Sequence, residues 1–174
     1  MQVYRCKICG DPYLGEEKPT NCPFCGAPAE YMIFAMDWRD PAIEDLSSIS
    51  KQNLEIALEL ETENTKFYMC ASEMTSNVEG KQLFRALSKI ESEHASVIAK
   101  ILRVKKPQVE LDKLACYPSY KDNLKDAQDR EERAIKEYSK FFKDAKEPRL
   151  KEIFQALAMI EKDHLTLAKE RLKG

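Results

Sequence analysis

The sequence predicts a mainly α protein, a four-helix bundle preceded by a small metal-stapled module. Three observations carry this prediction. From about Ser50 onward, apolar residues recur at helical spacing, with Gly only at 80 and 174 and Pro only at 107, 118 and 148. Before that point the chain is turn-rich: Met1 to Asp37 hold four of the eight Pro and four of the six Cys, the latter as two Cys-x-x-Cys pairs. Finally, the helical part repeats itself, in a way that also places acids and histidines in register.

At 174 residues the chain can hold one ordinary domain plus a small module, and 43% apolar content suits a globular protein. A formal charge of −2, spread along the chain, favours neither nucleic acid nor an anionic membrane as partner. The longest apolar run, Tyr31 to Met36, falls far short of the ~20 residues of a membrane span. No signal-peptide pattern opens the sequence, so a cytoplasmic protein is expected. In a reducing compartment Cys-x-x-Cys pairs bind metal more often than they form disulfides. Cys70 and Cys116 stand alone and read as a buried small hydrophobe or a free thiol.

In chain order, residues 1–37 are too short and too turn-rich to build an independent core, so the cysteines must supply a metal staple. Residues 38–49 read as a linker, where Pro41 and the serines break any helical pattern, with Ser48 or Ser50 as N-cap of the first helix. Four helices are expected at about 50–75, 78–103, 119–145 and 148–173, with Asn77 capping the second and Pro148 in the first turn of the fourth. The stretch VKKPQVELDKLACYP between helices two and three is much longer than the other connections. One long crossover in a four-helix bundle is the ferritin-like topology.

The repeat gives the bundle its chemistry. The run from Phe84 to His94 matches that from Phe154 to His164, with Phe, Ala, Leu, Ile, Glu and His identical at a displacement of 164 − 94 = 70 residues. The same displacement carries Ala57, Glu61 and Tyr68 onto Ala127, Glu131 and Tyr138. Glu-x-x-His puts a carboxylate and an imidazole on one side of a helix. A single such pair usually marks a solvated face or a hydrogen-bonded core histidine. Here the chain's only two histidines both have Glu three residues before them, and both lie on the apolar stripe. Four buried carboxylates are untenable without cations. Glu61, Glu91, His94, Glu131, Glu161 and His164 are therefore candidate ligands of a dinuclear carboxylate site of iron or manganese. Tyr68 and Tyr138, two turns after Glu61 and Glu131, either hydrogen-bond ligand carboxylates across the bundle or are core aromatics with satisfied hydroxyls.

Cys6-Lys-Ile-Cys9 and Cys22-Pro-Phe-Cys25 are each followed by Gly, as CKICG and CPFCG. Such turns place four thiolates around a tetrahedral metal, and the motif itself suits Fe or Zn equally. The stretch YRCKICGDPYLGEEKPTNCPFCGAPAEY resembles the short-loop rubredoxin module of rubrerythrins, and the six Glu and His positions resemble that family's di-iron ligands. The module comes first here, as in reverse rubrerythrins.

The resemblance implies a one-electron iron held by Cys6, Cys9, Cys22 and Cys25 and a carboxylate-bridged pair of irons in the bundle. It implies peroxidase-type catalysis at Glu61, Glu91, His94, Glu131, Glu161 and His164 with Tyr68 and Tyr138, reducing hydrogen peroxide with electrons from a reductase or another rubredoxin. A homodimer or higher homo-oligomer is expected, because relatives use a second subunit to bring the two centres together. The family's usual extra Glu, one turn after the third-helix ligand, is Ala134 here, with Asn64 at its counterpart. An oxygen-reducing oxidase or ferroxidase, and a non-enzymatic zinc ribbon joined to a helical interaction module, are the alternatives.

Overall fold

In the computed structural model, residues 1–39, 43 and 45–173 are described. The linker break expected at Pro41 lies outside them. The N-terminal module contains a feature its sequence did not suggest, an antiparallel sheet ordered β2-β1-β3 from β1 (Gln2–Cys6), β2 (Pro12–Gly15) and β3 (Met32–Phe34). Strands of five, four and three residues are too short to show alternation above noise. Tyr4 faces inward from the central strand, stacked on Phe34.

Four long helices complete the chain: α1 (Ser48–Met74), α2 (Val78–Leu102), α3 (Tyr120–Asp144) and α4 (Pro148–Lys173). Their ends are set by local chemistry. The Asn77 side chain accepts from Gly80 N at 2.7 Å, and Ser119 caps α3 in the same way. The cap of α1 is Ser47, one residue before Ser48 and three before Ser50, the caps expected from the sequence. Its position depends on a partner 100 residues away: the Glu147 carboxylate, just before α4, accepts from Ser47 N at 2.7 Å and from the Ser50 hydroxyl at 2.5 Å. This places an acid at the positive end of the α1 dipole.

α1 packs on α2 and α3 on α4, and the two hairpins meet along α1 and α3. Buried residues fall at helical spacing on every helix, for example Leu150, Ile153, Phe154, Leu157, Ile160, Glu161 and His164 on α4. They form two apolar clusters. One, with Phe67, Phe84, Leu87 and Leu124, fills the end of the bundle near the α1–α2 turn. The other joins Leu54, Leu150, Phe154 and Ile160 to the module's Tyr4, Ile8, Tyr31 and Met32. Module and bundle thus share one core, which is how so short a segment buries its apolar side chains.

The expectation that Cys70 and Cys116 are unpaired is corrected by the structure: they form a disulfide across 46 residues. Cys70 is fully buried on α1, and the long α2–α3 connection returns across the bundle to bring Cys116 against it. Sequence separation hides such a pairing, because the crossover's path is a tertiary property. No described helix is long and apolar enough to cross a membrane.

Candidate metal centres

The two Cys-x-x-Cys turns face each other. Gly10 and Gly26 adopt φ of +84° and +78°, and their amides close the turns onto Cys6 O and Cys22 O at 3.0 and 2.9 Å. The backbone N–H of Ile8 points at Cys6 Sγ at 3.3 Å, and that of Asp11 at Cys9 Sγ at 3.5 Å. Cys6 Sγ lies 3.6 Å from Cys25 Sγ, and Cys9 Sγ 3.8 Å from Cys22 Sγ. Four sulfurs ~2.3 Å from a central ion have edges of about 3.8 Å, so the donors fit a tetrahedral metal. All four are buried. They share protons unequally: the hydrogen bond from Cys25 pulls the Cys22 thiol down, while Cys9, bonded to Cys22, is pushed up.

Between the two apolar clusters of the bundle lies a single polar layer. Glu61 on α1, Glu91 and His94 on α2, Glu131 on α3, and Glu161 and His164 on α4 all point into it. Five of the six are fully buried, and His164 is 4% exposed. Their donor atoms form two overlapping groups, Glu61, Glu91, His94 and Glu161, and Glu91, Glu131, Glu161 and His164. Glu91 and Glu161 belong to both. His94 Nδ1 lies 3.4 Å from Glu61, 3.2 Å from Glu91 and 3.4 Å from Glu161. His164 Nδ1 lies 2.9 Å from Glu161 and 3.1 Å from Glu91.

Each of the four glutamates keeps one buried carboxylate oxygen outside any well-formed hydrogen bond among the described residues; three of these oxygens, on Glu61, Glu91 and Glu161, meet only a histidine Nδ1 at 3.1–3.4 Å. Such oxygens cost several kcal/mol in a dry interior unless a cation meets them, and their number and convergence fit a pair of metal ions. The protein groups alone balance charge by protonation. Burial and the charge of Glu91 push Glu61 well above the usual carboxylate range, and burial with Glu161 does the same to Glu131. Burial alone would lower both histidines, yet Glu61 beside His94 and Glu161 beside His164 hold them protonated. Metal binding would displace these protons.

The tyrosines complete the layer with two-fold regularity. Tyr68 donates its hydroxyl to Glu131 Oε1 and Tyr138 donates to Glu61 Oε1, each reaching from one twin helix to the other. Burial, reinforced by the neighbouring carboxylate, raises both phenols well above their ordinary value, so they remain donors. Asn64 and Ala134, one turn past Glu61 and Glu131, are buried without adding a carboxylate.

One contact breaks the symmetry, and nothing in the sequence signals it. His94 Nε2 lies 2.9 Å from the backbone carbonyl of Cys25. A carbonyl can only accept, so Nε2 carries a proton for it, and Nδ1, whose proton a metal would displace, faces the carboxylates. Gly26 makes this approach possible, since a Cβ there would meet Ile160 Cγ2 at 3.1 Å. The two donor sets thus touch within a single chain.

A rubrerythrin family model matches residues 52–172, and the rubredoxin-like domain model of rubrerythrins matches residues 4–33. The chain belongs to the rubrerythrin family. Its rubredoxin-like module precedes the bundle, the reverse order. Among curated proteins it is similar to "Reverse rubrerythrin-1" of Clostridium acetobutylicum, 28% identical over 113 residues. That match covers 59% of this chain and 62% of the relative, less than two thirds of its length. As a rubrerythrin-family protein the chain carries a four-cysteine rubredoxin-like site and a buried carboxylate-histidine cluster compatible with di-iron.

Proposed function

We propose that the protein is an oxidoreductase that reduces hydrogen peroxide to water, with electrons relayed from the rubredoxin-like site to the bundle. The observation that carries this reading is the hydrogen bond from His94 to the Cys25 carbonyl, which links one donor set to the other through a short run of bonds. In this reading Cys6, Cys9, Cys22 and Cys25 hold one iron, and Glu61, Glu91, His94, Glu131, Glu161 and His164 hold two. When bound, the iron pair would supply the two electrons that, with two protons, convert hydrogen peroxide to two waters.

The protein's own groups have separable tasks. Glu91 and Glu161, common to both donor groups, would hold both irons, while Glu61 and Glu131 would each serve one. Tyr68 and Tyr138 fix those two carboxylates by holding one oxygen and leaving the other free to ligate. His94 is kept in one tautomer by Cys25, which makes the His94 side the electron-receiving side. The apolar clusters above and below exclude bulk water from the layer.

A second reading, an oxygen-reducing oxidase or ferroxidase, draws on the buried Ala134 and Asn64, which leave the set at six ligands. Metal analysis and reoxidation kinetics separate the readings. Protein from iron-replete cells is expected to hold about three Fe per chain and to show a ferric-thiolate colour. Reoxidation of the reduced protein faster by peroxide than by air supports the peroxidase; the opposite order supports the oxidase. One Zn and no Fe would sink both.

A further inference from the structure

Cys25 meets the bundle, whereas Cys9 lines a surface cavity of ≈ 270 Å³ where the module abuts the end of α2 and the start of α4. The residues around that cavity have an unusual charge. Arg5, Lys7, Lys100, Arg103 and Arg149 line it, and among the described residues no carboxylate does, in a chain whose net charge is −2. Three of the cations are already held: Arg5 stacks 3.5 Å over the Trp38 ring, and Lys7 and Arg149 both pair with Glu152. Lys100 and Arg103 are exposed and have no ion-pair partner among the described residues. They offset the negative end of α2, but that role does not account for the three other cations gathered opposite. Trp38 adds a buried indole N–H with no hydrogen-bond partner among the described residues.

The cavity is smaller than the 300–1,000 Å³ usual for small-molecule sites. Its cations come from the β1 strand, the first cysteine turn and two helix ends, the distribution of a docking face more than of a cradle for one anion. Asp11 and Glu93 also lie near Cys9 but do not line the cavity, so an acidic surface is attracted on the cationic side and repelled on the other.

We propose that this cationic cavity is the docking face for an acidic one-electron carrier protein, which delivers its electron to the four-cysteine site at the Cys9 edge. Each docking oxidises one carrier by one electron and reduces the cysteine-bound iron by one, so two dockings serve each peroxide. Electrons then enter beside Cys9 and leave through the Cys25 carbonyl. The proposal rests on the iron reading of the four-cysteine site.

The test uses the full iron-loaded chain and a reduced acidic rubredoxin as probe, with binding followed by calorimetry and electron transfer, without oxygen and with hydrogen peroxide supplied as terminal oxidant, by stopped-flow growth of the carrier's own ferric-thiolate colour. K100E/R103E is expected to raise the carrier concentration for half-maximal rate about tenfold or more at low salt, with the difference collapsing at high salt. K100Q/R103Q, milder toward the α2 terminus, should give a smaller shift in the same direction. K136E/K140E, the same charge change on exposed α3 positions, should stay within about twofold of wild type. If the two Glu pairs behave alike in binding and rate, the docking face is wrong, while iron content and peroxide reoxidation leave the functional reading standing. If inorganic phosphate shifts Trp38 emission at micromolar concentration and carrier binding ignores K100E/R103E, the cavity is a small-anion site and the proposal fails. Zinc in place of iron would overturn both.

Discussion

Tyr68 and Tyr138 are each bonded to the terminal carboxylate of the opposite twin helix, so their loss should be felt at the metals without loss of the fold. Tyr68→Phe and Tyr138→Phe are each expected to lower metal affinity or peroxide rate about 10- to 100-fold, with melting little changed. Iron titration of the two variants checks this, and the fold symmetry predicts similar losses. Gly26→Ala should act differently. Its φ of +78° disfavours any side chain and Ile160 stands in the way, so the module must withdraw from His94. The expected result is full iron content with electron transfer between the centres slowed by tenfold or more, roughly what small displacements of a tuned contact cost; stopped-flow reoxidation monitored at the ferric-thiolate band measures it. The tyrosines are legible in the sequence because the displacement of 70 residues pairs them with Glu61 and Glu131. The Cys25 carbonyl is not, because a backbone acceptor has no residue type and leaves no pattern.

Helix ends and the crossover carry the next level of organisation. Glu147 ties α4's start to α1's cap, and although burial alone would raise it, the Ser47 amide and Ser50 hydroxyl hold its carboxyl down at about 2, against an ordinary 4.5. A depressed folded value means stabilisation that is complete above pH 4.5 and lost as pH falls through about 2. Glu147→Gln should therefore cost about 1 kcal/mol at neutral pH, progressively less below pH 4.5 and nothing once the pH is well under 2, as read by denaturant titration at several pH values. The Cys70–Cys116 bond closes a loop of 46 residues, for which chain entropy gives about 4 kcal/mol. Melting with and without reductant should show that difference in the wild type and none in Cys70→Ser, and mass spectrometry after thiol alkylation reports which state the protein holds in its own compartment. Helix bodies are readable because apolar spacing recurs over about seven turns. The Ser47 cap and the disulfide are not, since each is decided by a partner 100 or 46 residues distant.

At the level of the complete chain, a polar layer of four carboxylates and two imidazoles is sandwiched between apolar clusters, and the module is docked on one edge of that layer. Such a layer is expected to make stability depend on metal. A chelator is expected to lower stability by about 4 kcal/mol if free iron had stood near a thousand times its dissociation constant, and calorimetric scans before and after chelation measure the change. Periodicity, internal repetition and Cys-x-x-Cys spacing are local or translational signals that survive in one dimension, and they suffice for the bundle, its crossover, the six ligand candidates and the four cysteines. Three features needed the folded chain: the meeting of Cys25 with His94, the pairing of Cys70 with Cys116, and the gathering of five cations from separate elements beside Cys9. They depend on how a module lies against a bundle and where a loop crosses it, and that path is set by packing across the whole chain, which no short stretch of residues encodes.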